Sequence, residues 1–404
     1  MPTDQGPMSF KEAAQPVAQE MLIPLTRPEF CGNEWKYLKE CLDSGWVSSA
    51  GPFVDRFERE VAAYVGSTHA VAMVNGTAAL HLALRVAGIE SDDEVLVSDF
   101  TFVAPVNAIR YCQAHPILVD ANPETWQMDV PKLQRFLRSN CEVRSEICYN
   151  KRTGRRVRAI LPVHLLGLSC AMDKILDLAR TFHLKVVEDA AEGLGVRYQN
   201  RHVGTFADVG VLSFNGNKIV TAGGGGILLT QDRSLAEYAR YLSTQAKNDP
   251  LEYLHNEIGY NYRLTNIQAA LGLAQLERIK EFITKKKEIT RTCSCALAEV
   301  EGVKPMPMPP FTQSNFWLYT FLLKEGTNVE KRKAFLHKLH SLGIGARPLW
   351  HPIHDLDPYR QCETLHLEHS TSLYERGISL PSSSSLTKEE LETCVKGVLE
   401  CLNR

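Results

Sequence analysis

The chain has 404 residues, yet it carries little net charge and no long apolar segment. Its 45 Lys and Arg residues against 47 Asp and Glu residues give a formal charge of −2, so the composition indicates no basic surface for nucleic acid. No apolar run reaches the roughly 18 residues that span a membrane. The first 20 residues contain charged side chains and lack the apolar core of a secretory signal peptide. We therefore expect a cytoplasmic protein that binds neither nucleic acid nor membrane.

The eleven cysteines lack the spacing of a metal finger or a redox pair. They are odd in number, they are scattered along the chain, and no Cys-x-x-Cys pair occurs among them. Thiols of this kind persist in a reducing compartment. We expect structural thiols and no metal site.

From residue 70 to residue 230 the chain alternates between short apolar strands and amphipathic helices. Strands such as Glu94–Ser98 and Lys185–Glu188 are separated by helical patterns of about 10–15 residues, which predicts βαβ units and a mostly parallel sheet. The sequence after Val303 predicts a mixed α+β region, and one long helix is predicted over Asn266–Lys287. We predict an N-terminal arm over residues 1–22, a large domain over 23–280 and a smaller C-terminal domain over 281–404.

Three segments of the α/β region carry candidate chemistry. Asn75-Gly76-Thr77 follows a strand and opens a helix, and N–H groups with a hydroxyl at a helix N-terminus bind anions. Asp189 ends a buried strand, where open α/β sheets bind ligands. Lys218 lies on a turn before four glycines at 223–226, and a desolvated lysine can act as an imine-forming nucleophile. Taken singly, each also has a structural explanation: a helix start, a helix-capping carboxylate and a surface lysine.

Together the three segments predict a site for pyridoxal 5′-phosphate (PLP). The phosphate needs N–H and hydroxyl donors, and Thr77 and Ser213 offer hydroxyls. The ring nitrogen needs a carboxylate such as Asp189 to stay protonated, and the aldehyde needs a lysine such as Lys218. Phe102 follows a strand and would stack on the face of the ring.

Six motifs occur in the order seen in the DegT/DnrJ/EryC1/StrS sugar aminotransferases, and the chain resembles that family over about residues 23–404. The motifs are Asn75–Leu80, Thr101–Phe102, Pro162–His164, Glu188–Glu192, Ser213–Lys218 and Gly259–Leu264. The resemblance implies fold type I of the PLP-dependent transferases, similar to aspartate aminotransferase, with a large mostly parallel-sheet domain and a smaller α+β C-terminal domain. It also implies a homodimer that transfers an amino group, usually from glutamate, to a keto group of a nucleotide-linked sugar.

The resemblance further implies a role for each matching residue. Lys218 would form the Schiff base with the cofactor and carry the proton, and Asp189 would pair with the pyridinium nitrogen. Glu192 would lie near the ring hydroxyl, at a position where the family often has Gln or His. The other cofactor contacts would come from Gly76, Thr77, Phe102 and Ser213, with Asn261 and Arg263 reaching the site of the neighbouring subunit.

Two further segments point to a subgroup. Cys148–Arg156 and Gly32–Trp35 resemble segments of the LegC-type nucleotide-sugar 4-aminotransferases, which serve lipopolysaccharide or other surface glycan biosynthesis. We therefore expect amination of the 4-keto group of a 6-deoxy UDP-N-acetylhexosamine derivative. The alternatives are a GDP-perosamine synthase-like aminotransferase, which shares Gly216-Asn217-Lys218, and a non-catalytic PLP-binding regulatory protein. A PLP-dependent sugar dehydratase is disfavoured because that relative typically has His in place of Lys218.

Three residues are candidates for binding the substrate: His164, Arg347 and His354. His164 ends a strand on the ligand side of the sheet, and the other two lie near a predicted entrance loop. A metal pair of His351 and His354 is disfavoured, since no carboxylate or cysteine stands at a matching spacing. The basic run Lys151–Arg158 predicts a solvated hairpin turn, with a contact to the substrate's diphosphate as the alternative.

Overall fold

Two helices precede the alternating part of the chain. The computed structural model describes residues 23–249 and 251–402, so the predicted arm over residues 1–22 lies outside the described residues. The elements of the first part are α1 (Glu34–Ser44), α2 (Pro52–Val65), β1 (His69–Met73), α3 (Gly76–Val86), β2 (Glu94–Ser98), α4 (Ala104–Tyr111), β3 (His115–Val119), α5 (Val130–Asn140), β4 (Cys141–Arg144), β5 (Ile147–Asn150), β6 (Val157–Leu161), α6 (Met172–Thr181), β7 (Lys185–Asp189), β8 (Arg197–Tyr198), β9 (Arg201–His202), β10 (Val209–Ser213), β11 (Gly226–Thr230) and α7 (Arg233–Ser243).

The later part of the chain is a mixture of helices and short strands. It contains α8 (Asn266–Leu276), α9 (Ile279–Leu297), β12 (Lys304–Pro305), β13 (Thr312–Gln313), β14 (Tyr319–Leu322), α10 (Val329–Ser341), β15 (Arg347–Pro348), β16 (Glu363–Leu365), α11 (His369–Arg376), β17 (Gly377–Leu380) and α12 (Lys388–Leu402). Among the described residues, no helix is both long and apolar enough to cross a membrane.

An eight-stranded sheet organises the molecule, in the order β1-β11-β10-β7-β6-β2-β3-β16. Every neighbouring pair is parallel except the two pairs that include β11. The strands β2, β10 and β11 are buried at every position, because helices cover both faces of the sheet. The predicted fold class, an α/β fold with a large and mostly parallel sheet, is confirmed.

Alternate residues of each strand feed two separate apolar cores. Val71 and Val95 pack in one core, whereas their neighbours Ala72 and Leu96 pack in the other. Side chains on a strand point to opposite faces in turn, so the sheet itself divides the two cores. A second sheet of four strands, β12-β14-β17-β15, is antiparallel.

Three features differ from the sequence-based expectation. The single helix predicted over Asn266–Lys287 is wrong: the structure has α8 and α9, separated at Glu277 and Arg278. A two-stranded hairpin, β4–β5, precedes β6 and was not predicted as strands. β16 belongs by sequence to the predicted C-terminal domain but pairs with β3 of the large sheet. The division at residue 280 remains a prediction.

Candidate active site

A cavity of about 350 Å³ opens where the parallel strands β1, β2, β6, β7 and β10 end. Loops that follow the carboxyl ends of such strands form the usual ligand site of an open α/β sheet. Seven of the predicted site residues line this one cavity: Gly76, Thr77, Phe102, Asp189, Glu192, Ser213 and Lys218.

The N-terminus of α3 forms one wall. Asn75 caps the helix, because its side-chain oxygen accepts the N–H of Ala78 at 2.8 Å. Gly76 and Thr77 are the first helical residues and face the cavity. A Cβ on Gly76 would lie 3.2 Å from Oγ of Ser213, so the missing side chain allows the hydroxyl to approach the helix end. Two hydroxyls and the positive end of a helix make this wall suited to an anion.

Two buried carboxyl groups form the floor. Asp189 ends β7, its Oδ1 accepts the N–H of Ala191 at 2.9 Å, and burial raises its pKa. Burial also raises the pKa of Glu192 to about 7, although the nearby ammonium of Lys218 opposes this shift. Oε2 of Glu192 accepts the N–H of Leu166 at 2.8 Å. A cationic group in the cavity would relieve the cost of burying a charge at Asp189.

Lys218 lies on the turn between β10 and β11. Its Nζ is 3.4 Å from Oε1 of Glu192 and 4.3 Å from the ring centre of Trp317. Trp317 donates its indole N–H to the carbonyl of Asn217 at 2.9 Å, and its ring lies parallel to that of Trp350, with 6.2 Å between centroids. The amine is thus held between a carboxylate and an aromatic face.

Both tryptophans line the cavity, and the sequence does not predict this for Trp317. Trp317 lies 99 positions after Lys218, in the region that was assigned to a separate domain. Trp350 belongs to the segment Trp350–His354, which the sequence offers as a candidate substrate-lining loop.

His164 lies close to this cavity but does not line it. The imidazole is fully buried, and its Nδ1 accepts the N–H of Cys170 at 3.2 Å. Nε2 therefore donates to Oε2 of Glu188 at 3.0 Å. Its neighbours Val163 and Leu165 line the cavity, so His164 supports the wall from behind.

The other two substrate candidates also lie off the cavity wall. Arg347 is exposed on β15. His354 donates both its backbone N–H and its Nδ1–H to the carboxylate of Asp99, each at 2.9 Å. That carboxylate raises the pKa of His354. The bonds from His354 to Asp99 attach the segment around His354 to the residue that follows β2. Substrate binding by Arg347 and His354 remains a prediction.

The residues predicted to reach a neighbouring subunit lie outside the cavity of their own chain. Asn261 is exposed. Arg263 donates from Nη1 to Oε1 of Glu58 at 2.7 Å and to the carbonyl of Ala72 at 3.1 Å. The arginine side chain is thus engaged within its own chain.

The basic run Lys151–Arg158 lies at the amino ends of β2 and β6, on the opposite edge of the sheet from the cavity. Arg152 pairs with Glu363 at 2.7 Å, and Arg156 pairs with Asp93 at 2.5 Å. The alternative prediction, that this run contacts the substrate's diphosphate in the cavity of its own chain, is wrong because the run lies at the far edge of the sheet. Its ion pairs join the hairpin to the sheet instead.

Comparison with known proteins identifies the family. The model of the DegT/DnrJ/EryC1/StrS aminotransferase family matches residues 29–399. This chain belongs to that family. GDP-perosamine synthases from Caulobacter vibrioides and Escherichia coli O157:H7 are 38% and 37% identical to it, over 94% and 91% of this chain and 98% and 95% of theirs. The crystal structure of the aminotransferase TlmJ from Streptoalloteichus hindustanus superposes with a TM-score of 0.85 at 26% identity, covering 95% of this chain and 99% of that one.

Members of the DegT/DnrJ/EryC1/StrS family are PLP-dependent sugar aminotransferases, and this protein is therefore one as well. The predicted cofactor is confirmed by this membership. The cavity fits PLP, because it combines an anion-binding helix end, a buried carboxylate and an amine in one space.

Proposed function

We propose that this aminotransferase moves an amino group from glutamate to the 4-keto group of a GDP-linked 6-deoxy sugar.

 The similar GDP-perosamine synthases support GDP as the nucleotide and favour it over the UDP-N-acetylhexosamine first expected. The observation that carries the proposed amino transfer is that Lys218, Asp189 and the N-terminus of α3 line one cavity.

The chain's own groups would hold the cofactor at three points. The N–H groups at the start of α3, with the hydroxyls of Thr77 and Ser213, would hold the phosphate. Asp189 would keep the ring nitrogen protonated, and Phe102, whose side chain is 56% exposed, would cover one face of the ring. When bound, PLP supplies a ring that accepts the electrons released as a C–H bond breaks.

Lys218 would carry the proton between the amino donor and the sugar. Its Nζ lies at the cavity wall, and the carboxyl group of Glu192 stands 3.4 Å away with a pKa raised to about 7. A group that titrates near neutral pH can hold or release a proton beside the amine. Trp317 and Trp350 line this side of the cavity, and their apolar rings would limit the access of water to the amine.

We also propose a homodimer in which Asn261 and Arg263 approach the partner's cavity. The loop just before them exposes apolar side chains, with Leu251 at 88% and Ile258 at 86% exposure. Exposed apolar clusters of this kind mark surfaces that proteins cover. The product would be a cytoplasmic precursor of lipopolysaccharide or another surface glycan.

The test is a panel of 4-keto-6-deoxy sugars linked to GDP, UDP or dTDP, each incubated with glutamate and the purified protein. We expect amination of the GDP sugar with a kcat/KM at least about tenfold above the others, because a nucleotide pocket discriminates through hydrogen bonds to the base. Mass spectrometry of the sugar nucleotide measures the product.

Lys218→Ala should fold and show no turnover. The control Lys185→Ala removes an ion pair with Asp208 at the surface and should keep wild-type turnover. Turnover by Lys218→Ala would remove this lysine from the mechanism. Preference for the UDP sugar would overturn the assignment of GDP, and no amination of any sugar would favour a regulatory protein.

A further inference from the structure

Two groups from different parts of the chain hold the amine of Lys218. The carboxyl group of Glu192 comes from the loop after β7, and the indole of Trp317 comes from the segment before β14. A cation over an indole face is attracted by the ring, and tryptophan is the best aromatic partner for it. The position of Lys218 therefore depends on how these two segments sit against each other.

The side chain of Asn315 joins the two segments directly. Its Nδ2 donates to the carbonyls of Glu192 at 2.8 Å and Leu194 at 2.9 Å. Its Oδ1 accepts the N–H of Trp317 at 2.9 Å. The residue is fully buried, so these three hydrogen bonds are made away from water.

The local backbone is also shaped around this amide. Phe316, between Asn315 and Trp317, has a φ of 54°, a conformation that a bulky residue adopts only when its surroundings require it. A Cβ on Gly167 would lie 2.1 Å from Oδ1 of Asn315, so glycine is needed for the amide to fit. The surroundings offer two acceptor carbonyls and one N–H donor, which match the amide of asparagine. An ionised aspartate has no donor for the two carbonyls.

We propose that Asn315 is a positioning residue for Lys218, acting through Glu192 and Trp317. The inference rests on the proposed role of Lys218 in amino transfer. It predicts that loss of the amide releases the amine and slows turnover more than it weakens substrate binding.

The test compares Asn315→Asp with a matched control, Asn266→Asp. Asn266 is equally buried and has a similar set of bonds: Nδ2 donates to the carbonyl of Trp46 at 2.8 Å, and Oδ1 accepts the N–H of Phe53 at 2.9 Å. Both substitutions place a carboxylate against a backbone carbonyl, but only the first lies next to the groups that hold Lys218.

The direct readout is the rate at which Lys218 is acetylated in the cofactor-free protein. The protein receives a short pulse of acetic anhydride at a fixed pH, and mass spectrometry compares the acetylation of Lys218 with that of Lys185. We expect Asn315→Asp to raise this rate about two- to fivefold, the scale of a lost cation–π contact, and Asn266→Asp to leave it unchanged. In the PLP-loaded enzyme, Asn315→Asp should lower kcat with little change in the KM for glutamate.

A wild-type labelling rate in a folded Asn315→Asp protein would overturn the proposal, as would equal acceleration in both variants. If Asn315→Asp does not fold, Trp317→Phe and Trp317→Leu replace it. Phenylalanine keeps an aromatic face and should keep labelling slow, whereas leucine should accelerate it; equal rates would overturn the proposal. Labelling does not depend on turnover, so its result stands even where the sugar panel fails.

Discussion

Lys286 is a buried lysine whose bonds, among the described residues, all go to backbone carbonyls. Its Nζ donates to the carbonyl of Trp317 at 2.9 Å and to that of Ser382 at 2.5 Å. Burial lowers its pKa to about 7. The lysine thus holds the backbone of Trp317, whose ring contacts Lys218, and it does so at the cost of burying a charge.

This burial predicts a pH dependence of stability. An unfolded lysine has a pKa near 10.4, so between about pH 7 and pH 10 the unfolded chain binds the proton that the folded chain has lost. The free energy of unfolding should then rise with pH, by up to about 1.4 kcal/mol per unit, relative to Lys286→Met. Urea unfolding of the wild type and of Lys286→Met at pH 7, 8 and 9 measures the difference between their free energies of unfolding. The contributions of titrating groups common to both proteins cancel in this difference. If the free energy of unfolding changed with pH equally in both proteins, the lowered pKa of Lys286 would be contradicted.

The predictable part of the site consists of residues that stand at strand ends or at a helix start. Asp189, Ser213 and Thr77 could be placed because a strand and the turn after it fix where a side chain meets the sheet edge. Asn315 and Trp317 could not, since their segment reaches the cavity only through packing of the later part of the chain onto the sheet.

At the scale of elements, the cap of α3 joins stability to cofactor binding. Asn75→Ala removes the acceptor for the N–H of Ala78 and should cost about 1 kcal/mol of stability. It should also weaken PLP binding, because the same helix end faces the cavity. Thermal unfolding and a spectroscopic PLP titration measure the two effects.

Asn328→Ala is the matched control. Asn328 caps α10 in the same way, accepting the N–H of Lys331 at 3.0 Å, and it does not line the cavity. It should lose similar stability and keep wild-type PLP affinity. Equal affinity in both variants would show that the cap of α3 has no role in cofactor binding.

Elements with a strong pattern were predictable and short ones were not. β2 has the bounds that its apolar run predicts, because burial on both faces leaves a continuous signal. β16 has three residues and gave no such signal. The break between α8 and α9 was hidden because apolar residues continue at helical spacing on both sides of it.

At the scale of the whole molecule, a shared site predicts complementation between two inactive variants. Co-refolded Lys218→Ala and Asn261→Ala chains would form mixed dimers in which one site carries both changes and the other carries none. We expect recovery of roughly a quarter of wild-type activity, since about half of the dimers are mixed and each has one intact site. Native mass spectrometry counts the mixed dimers, and their inactivity would argue that each site is built from one chain.

β16 is the outermost strand of the large sheet, on the open side of β3. A gene fragment ending near residue 280 would therefore leave the hydrogen-bonding groups of β3 uncovered, and such edges pair with other chains. The first 280 residues expressed alone would be prone to aggregate, whereas co-expression with the remainder would return the missing edge strand.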